Sequence, residues 1–194
     1  LPEAVFVRGF KSATIPVRQA LLSGRDISRF VTKENLESLL KDESYITKEG
    51  VLFTLWQKYP EDQVKYLNET KSVIGLPNKN VRLMWLTLAM LTEGYELFKT
   101  KEYFEELSRY TNPEYSFEIR QGAFFYFKEA FGLNEQSLQN LVKATGHHSW
   151  QFRKFARTLV DELLKDAEYE LRLEKLSKEL NSDETRYLIS KLTE

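Results

Sequence analysis

The sequence contains no cysteine and only two histidines. Without cysteine there is no disulfide framework, no thiolate nucleophile and no cysteine-ligated zinc or iron–sulfur cluster. Glycine and proline are sparse, with eight and five residues, and neither a Gly-x-Gly-x-x-Gly nor a Gly-Lys-Ser/Thr phosphate loop occurs. No apolar run approaches the roughly 18 residues that a membrane-spanning helix requires. These absences exclude several motif-based classes of enzyme and argue against a membrane as partner.

The charged residues are nearly balanced, with 28 basic and 29 acidic side chains and a net charge of −1. Such a chain has no overall field that attracts DNA, RNA or an anionic membrane. We therefore expect no nucleic acid among its partners. A helical-repeat enzyme that acts on DNA would require a strongly basic groove. With balanced charges, this chain could form at most a local basic stripe.

The two histidines, His147 and His148, are adjacent in the sequence. Catalytic zinc requires about three protein ligands, and neighbouring residues on a helix diverge by about 100°. No His-Glu-x-x-His motif occurs, and a Ser-His-acid triad would lack a nucleophile elbow. Acidic residues such as Glu102 and Glu105 are typical of a solvated helix face rather than of a glycosidase acid pair. We predict no catalytic residue, metal ligand or cofactor in this chain, and a turn at the histidines that Ser149 caps.

An apolar–basic pair precedes a long apolar-rich segment at regular intervals. The basic residues are Arg18, Lys48 (the weakest copy), Arg82, Arg120 and Arg153. Their spacings of 30, 34, 38 and 33 residues are close to the period of roughly 33 to 47 residues in helical-pair repeats. The pattern therefore predicts one helix of a pair after each basic residue.

Apolar residues recur three and four positions apart both within these segments and between them. The segment after the last signature carries Phe152, Phe155, Ala156, Leu159, Val160, Leu163 and Leu164. The intervening stripes are Leu36, Leu39 and Leu40; Tyr103, Phe104 and Leu107; and Leu138, Leu141 and Val142. This periodicity is typical of one buried helix face. Only residues 4–10 resemble a strand, and weakly.

Local signals mark where these helices start and stop. Residues suited to capping a helix start are Thr32, Asn80, Ser116, Asn134 and Ser149. Breaks are expected at Pro60, Gly75 to Pro77, Thr111 to Pro113, Gly132 and Gly146. Together the patterns predict an all-α fold, a right-handed solenoid of antiparallel helix pairs of the HEAT or armadillo kind. We expect one repeat domain over residues 1–194, with about five pairs.

The two ends of the chain differ in charge. Residues 1–24 contain four charged residues, whereas residues 165–194 contain 14. A solenoid needs a polar outer face where stacking stops, so residues 165–194 are expected to form a C-terminal cap. The apolar start, around Val5 and Phe6, predicts a C-terminal fragment of a longer protein that tends to self-associate. The sequence does not fix a compartment.

The signature arginines are the most informative polar residues. They fall in the first turn of their helices, where the macrodipole disfavours a cation. A ladder of ion pairs, from each arginine to an Asp or Glu of the neighbouring helix pair, would offset this unfavourable interaction with the macrodipole. The alternative is a row on a concave face, in which Arg82, Arg120 and Arg153 contact a carboxylate or phosphate of a substrate tail. The aromatic residues of 124–131 and the tryptophans Trp56, Trp85 and Trp150 are predicted to form inter-repeat core rather than a ligand box.

Three of these segments carry a family resemblance. Residues 78–88 (NKNVRLMWLTL), 115–124 (YSFEIRQGAF) and 147–157 (HHSWQFRKFAR) resemble the C-terminal helical region of bacterial M1-family zinc aminopeptidases, and the resemblance extends over most of the chain. It implies a parent that removes N-terminal amino acids from peptides, with zinc in a separate catalytic domain. That domain would carry His-Glu-x-x-His and Gly-x-Met-Glu-Asn motifs, neither of which is present in this chain.

The resemblance also implies a role for this region. It would be a non-catalytic bowl that covers the active site and restricts entry to peptides, with the catalytic domain of the same polypeptide as partner. The alternative is a free-standing HEAT-type scaffold that binds another protein along its concave face, because fold alone does not determine function.

Overall fold

The structure, a computed structural model, describes residues 3–10, 12, 14, 16–17, 31–74 and 80–193. Its α-helices are α1 (Glu3–Phe10), α2 (Lys33–Leu39), α3 (Tyr45–Lys58), α4 (Gln63–Thr70), α5 (Asn80–Leu91), α6 (Thr100–Arg109), α7 (Phe117–Ala130), α8 (Glu135–Ala144), α9 (Trp150–Leu163), α10 (Ala167–Glu179) and α11 (Ser182–Leu192). Single 3₁₀ turns lie at Pro60–Asp62 and Leu97–Lys99. The described residues contain no strand, which confirms the all-α prediction, and residues 4–10 are helical.

The chain divides into two compact units, Leu1–Tyr103 and Phe104–Glu194. In the N-terminal unit, α3 packs against α2, α4 and α5. In the C-terminal unit, α9 packs against α7 and α8, and α11 packs against α8, α9 and α10. The consecutive helices that pack on each other are α2–α3, α3–α4 and α4–α5 in the N-terminal unit, and α8–α9 and α10–α11 in the C-terminal unit. That residues 1–194 form one repeat domain stays a prediction.

The predicted helix starts are confirmed where the structure describes them. Thr32 and Asn134 are N-caps whose side chains accept hydrogen bonds from the main-chain N–H groups of Asn35 and Ser137. Ser116 and Ser149 also occupy N-cap positions, but their side chains make no capping bond. Helix α5 begins at Asn80. The signature at Arg18 and the predicted break at Gly75 to Pro77 lie outside the described residues.

The predicted apolar stripes form the core of each unit. The buried members are Leu36, Leu39, Leu40, Tyr103, Leu107, Leu138, Leu141, Val142, Phe152, Ala156, Leu159, Val160 and Leu163. Phe104, Phe155 and Leu164 are half-buried at the edges of their stripes. Helical periodicity therefore identified most of the inward faces of α2, α6, α8 and α9.

The aromatic residues follow the same helix geometry, with two departures from the predicted core. Phe124 and Phe127 are fully buried, whereas Phe125 is exposed and the side chain of Trp150 is 63% exposed. Trp150 lies two positions before the buried Phe152, which places it about 200° around α9 from the inward face. Trp150 is therefore a surface residue, and its assignment to the core was wrong.

A glycine closes α7 and leads into α8. Gly132 has a φ of +76°, and a β-carbon there would lie 2.8 Å from the hydroxyl oxygen of Tyr169. That hydroxyl accepts a hydrogen bond of 2.7 Å from the main-chain N–H of Leu133. We expect Gly132→Ala to lower the free energy of unfolding by about 2–3 kcal/mol, because left-handed backbone strain adds to displacement of Tyr169.

Gly94 supplies a matched control for this substitution. Its φ is +73°, but no atom lies within 4 Å of the position that a β-carbon would take. Gly94→Ala should therefore cost only the backbone strain, about 1 kcal/mol. Urea denaturation followed by circular dichroism measures both variants. Equal losses in the two would contradict the role given to Tyr169.

Candidate functional site

Arg82 lies in the first turn of α5, within the N-terminal unit. A terminal nitrogen of its half-buried side chain donates to the carbonyl oxygen of Lys71, at 3.4 Å. Lys71 is the C-cap residue of α4. The guanidinium carbon lies 4.6 Å from the centroid of the Trp85 ring, a cation–π contact with the next turn of the same helix. Arg82 therefore ties the start of α5 to the end of α4.

Arg120 lies in the first turn of α7, in the C-terminal unit, and is only 4% exposed. Its Nε donates to the carbonyl oxygen of Thr111 at 3.0 Å, and its guanidinium carbon lies 4.8 Å from the centroid of the Phe152 ring. Burial lowers the pKa of Arg120, and the charge of Glu114 opposes that shift. The side chain is thus held inside the unit rather than displayed to solvent.

Arg153 lies in the first turn of α9 and is half-buried. One terminal nitrogen donates to the carbonyl oxygens of His147 and His148, at 2.7 and 3.3 Å. One turn later, Nε of Arg157 donates to the carbonyl oxygen of Thr145 at 3.0 Å. Thr145 is the C-cap residue of α8. Two arginines therefore bind the chain that leaves α8.

The same contact recurs at all three candidate arginines. Arg82, Arg120 and Arg153 each donate to a carbonyl oxygen at or just beyond the end of the preceding helix. The carbonyl group of Lys71, the C-cap residue of α4, lies at the negative end of the helix macrodipole, which attracts cations. For Arg120 and Arg153 the acceptors in the structure are main-chain carbonyl groups, whereas the sequence predicts a ladder to carboxylates. That the three arginines contact a substrate stays a prediction.

The histidines lie in the turn between α8 and α9, as predicted. Their rings stack with centroids 4.1 Å apart, and the His147 ring meets Phe152 edge-on with centroids 5.0 Å apart. Nδ1 of His147 accepts a hydrogen bond from the main-chain N–H of Ser149 at 3.1 Å. Ser149 therefore takes part in the turn through its main chain rather than through its hydroxyl. Among the described residues, no three His, Cys, Asp or Glu side chains are grouped to hold a metal ion.

The lowered pKa of His147 predicts that the stability of the C-terminal unit depends on pH. Burial lowers its pKa from the ordinary value of 6.5, helped by the charges of His148, Arg120 and Arg153. As pH falls below about 6.5, the unfolded chain takes up this proton before the folded chain does, so the free energy of unfolding decreases. Above that pH the contribution of neutral His147 is fully present.

His147→Asn isolates this contribution, because asparagine keeps an acceptor near the Ser149 N–H but does not titrate. We expect the variant to lose less stability than the parent between pH 7 and pH 5. Urea denaturation at both pH values measures the difference. If the parent and the variant lose the same stability, His147 is not the group responsible.

A cleft of about 420 Å³ lies between the end of α8, the outer face of α9 and helix α11. Its lining residues are Thr145, Gly146, Arg157, Asp183, Arg186, Tyr187 and Ser190. A smaller hollow of about 270 Å³ adjoins it along α9, lined by Trp150, Arg153, Lys154, Arg157, Thr158 and Asp161. Arg157 belongs to both, so the two form one continuous polar surface within the C-terminal unit. This surface is the candidate functional site.

Of the residues that line this surface, only Arg153 is a site residue predicted from the sequence. Arg157 lies four residues further along α9, which places both arginines on one helix face. That spacing was a readable signal. The approach of Arg186 and Tyr187 was not, because they lie on α11, about thirty residues further along the chain.

No helix among the described residues is both long enough and apolar enough to cross a bilayer. The chain matches no family model, no curated protein and no solved structure. That the chain is related to M1 aminopeptidases stays a prediction from its sequence segments.

Proposed function

We propose that the chain is a non-catalytic helical-repeat region of an M1-family zinc aminopeptidase, where it covers the active site and limits the peptides that enter. In this proposal its helix pairs form a right-handed HEAT-like or armadillo-like solenoid. The observation that carries the repeat assignment is the recurring arginine contact. Arg82, Arg120 and Arg153, spaced by 38 and 33 residues, each join a helix to a carbonyl oxygen at or just beyond the end of the helix before it.

The peptidase assignment depends on the sequence segments that contain these same arginines. Zinc in such an enzyme activates a water molecule and polarises the peptide carbonyl. The described residues of this chain do not fit a zinc site, because His147 and His148 stack on each other and no third ligand joins them. In this proposal zinc is held by the catalytic domain of the same polypeptide, which is the proposed partner. The contribution of this region is steric.

A parent polypeptide with and without this region tests the proposal. Removal of residues 1–194 should leave hydrolysis of an aminoacyl 4-nitroanilide largely intact, because this region does not restrict the access of so small a substrate to the active site. Cleavage of long peptides and unfolded proteins should rise. Loss of both activities in proportion would contradict the proposed role, and so would an unchanged size preference. The small substrate also reports whether the shortened enzyme is folded.

A free-standing scaffold that binds another protein is the second candidate. One observation favours it: Leu97 and Phe98, in the 3₁₀ turn before α6, are both largely exposed. Adjacent exposed apolar side chains of this size are typical of protein contacts. Aminopeptidase activity in the intact polypeptide would exclude this candidate.

A further inference from the structure

We propose that the cleft between α8, α9 and α11 binds a phosphate group, of a phosphate monoester or of free phosphate, held by Arg157 and Arg186. The inference is independent of the peptidase assignment, because it depends only on residues of the C-terminal unit. A volume of about 420 Å³ is within the range of small-ligand sites. The class of ligand follows from the way in which the two arginines of the cleft are held.

Arg157 is fixed in place before any ligand arrives. Its Nε donates to the carbonyl oxygen of Thr145 at 3.0 Å, and its guanidinium carbon lies 4.6 Å from the centroid of the Tyr187 ring. Its two terminal nitrogens make no hydrogen bond to any residue that the structure describes. A guanidinium held at Nε presents these nitrogens as a rigid fork, which matches two oxygens of a phosphate or carboxylate group.

Tyr187 is itself held by a carboxylate. Its hydroxyl lies 2.7 and 2.8 Å from the two oxygens of Asp161, to which it donates. This bond orients the ring under Arg157 and gives the Asp161 carboxylate a hydrogen-bond donor. The stack of Asp161, Tyr187 and Arg157 therefore costs no rearrangement when an anion binds, which is the condition for a preorganised site.

Arg186 supplies the second cation. It is paired with Asp183 at 3.1 Å, with side chains 82% and 87% exposed. Exposed pairs of this kind contribute little stability. Arg186 can therefore exchange Asp183 for a bound phosphate at small cost.

The charge around the cleft favours phosphate over carboxylate. The cleft and the adjoining hollow contain the cations Arg153, Lys154, Arg157 and Arg186. They contain two carboxylates, those of Asp161 and Asp183. The surplus of two positive charges matches a phosphate monoester, which carries roughly −1.5 to −2 near pH 7, better than a carboxylate with a single charge.

Titration followed by ¹H–¹⁵N NMR tests the proposal on the full 194-residue chain at constant ionic strength. The probes are inorganic phosphate, N-acetyl-phosphoserine amide and acetate. We expect saturable shifts of the Gly146, Arg157 and Ser190 amides with both phosphate probes, and weaker binding of acetate. Tighter binding of the phosphoserine probe would identify a phosphorylated side chain as the source, and equal or weaker binding would identify a free small phosphate.

Three variants locate the binding. Arg157→Gln should weaken phosphate binding by about tenfold, since it removes a charge-assisted fork. Arg186→Gln should weaken phosphate binding by about threefold, as expected for an exposed charge. Because this substitution leaves the contact between Arg157 and Thr145 intact, it tests the site even if Arg157→Gln does not fold. Arg109→Gln removes the same charge from the exposed end of α6 and should leave binding unchanged.

The outcomes separate site binding from general attraction of anions. Selective weakening in the cleft variants supports the proposal. Three results would each overturn it: no saturable shift with either phosphate probe, equal weakening in all three variants, or acetate that binds as tightly as phosphate.

Discussion

Replacing Trp85 by alanine is expected to lower the free energy of unfolding by about 3–5 kcal/mol. Trp85 is 0% exposed in the core of the N-terminal unit. Its ring meets Tyr95 and Tyr103 edge-on, with centroids 6.2 and 5.2 Å away. Its Nε1 donates to the carbonyl oxygen of Leu67, in α4, at 2.8 Å. The substitution removes the largest side chain of this core, removes the indole donor to that carbonyl and opens a cavity beneath Arg82.

Two further variants separate these contributions. Trp85→Phe keeps most of the buried volume but loses the hydrogen bond, so its expected cost is about 1–2 kcal/mol. Trp150→Ala removes an exposed indole from α9 and should change stability by no more than about 0.5 kcal/mol. Guanidinium denaturation with circular dichroism measures all three. A loss for Trp85→Ala as small as that for Trp150→Ala would contradict its place in the core.

Replacing Arg120 by alanine is expected to cost about 3–4 kcal/mol in the C-terminal unit. The side chain is almost entirely buried and fills the space over Phe152. Its removal leaves the carbonyl oxygen of Thr111 without the Nε donor that lies 3.0 Å away. The loss therefore combines a cavity with an unsatisfied acceptor.

Arg120→Met distinguishes the two parts. Methionine keeps much of the volume and avoids burying a charge, so its expected cost is about 1–2 kcal/mol. Arg109→Ala, at an exposed position of α6, is the control and should change stability by no more than about 0.5 kcal/mol. Urea denaturation measures the series. If Arg120→Ala falls within the range of the control, Arg120 does not join α7 to the chain that precedes it.

The local order of the fold was predictable from the sequence. Thr32 and Asn134 mark helix starts because their side chains accept from nearby main-chain N–H groups, and this is a short-range interaction. The stripe of α9 was readable because the helix period fixes which side chains share a face. Trp150 was wrongly predicted to be buried because it is apolar, although its position two residues before Phe152 places it on the opposite face of α9.

The partners of the arginines were less predictable. The regular spacing identified Arg82, Arg120 and Arg153 as equivalent, but their acceptors are main-chain carbonyl groups, which every residue carries. Spacing cannot single out one such carbonyl, so the sequence predicted acidic side chains as the partners of the arginines. The cleft has the same difficulty, because Arg157 and Tyr187 meet through the packing of α9 against α11. Long-range packing of this kind leaves no signal in the spacing of either segment.

The most direct test of the central claim is the coding sequence upstream of the codon for Leu1. The proposal predicts a reading frame that continues upstream and encodes first a Gly-x-Met-Glu-Asn motif and then a His-Glu-x-x-His motif with a distal glutamate. Those motifs would supply the amine-binding loop and the zinc site of the parent enzyme. A start codon within a few residues of Leu1 would contradict the claim and leave the scaffold as the function.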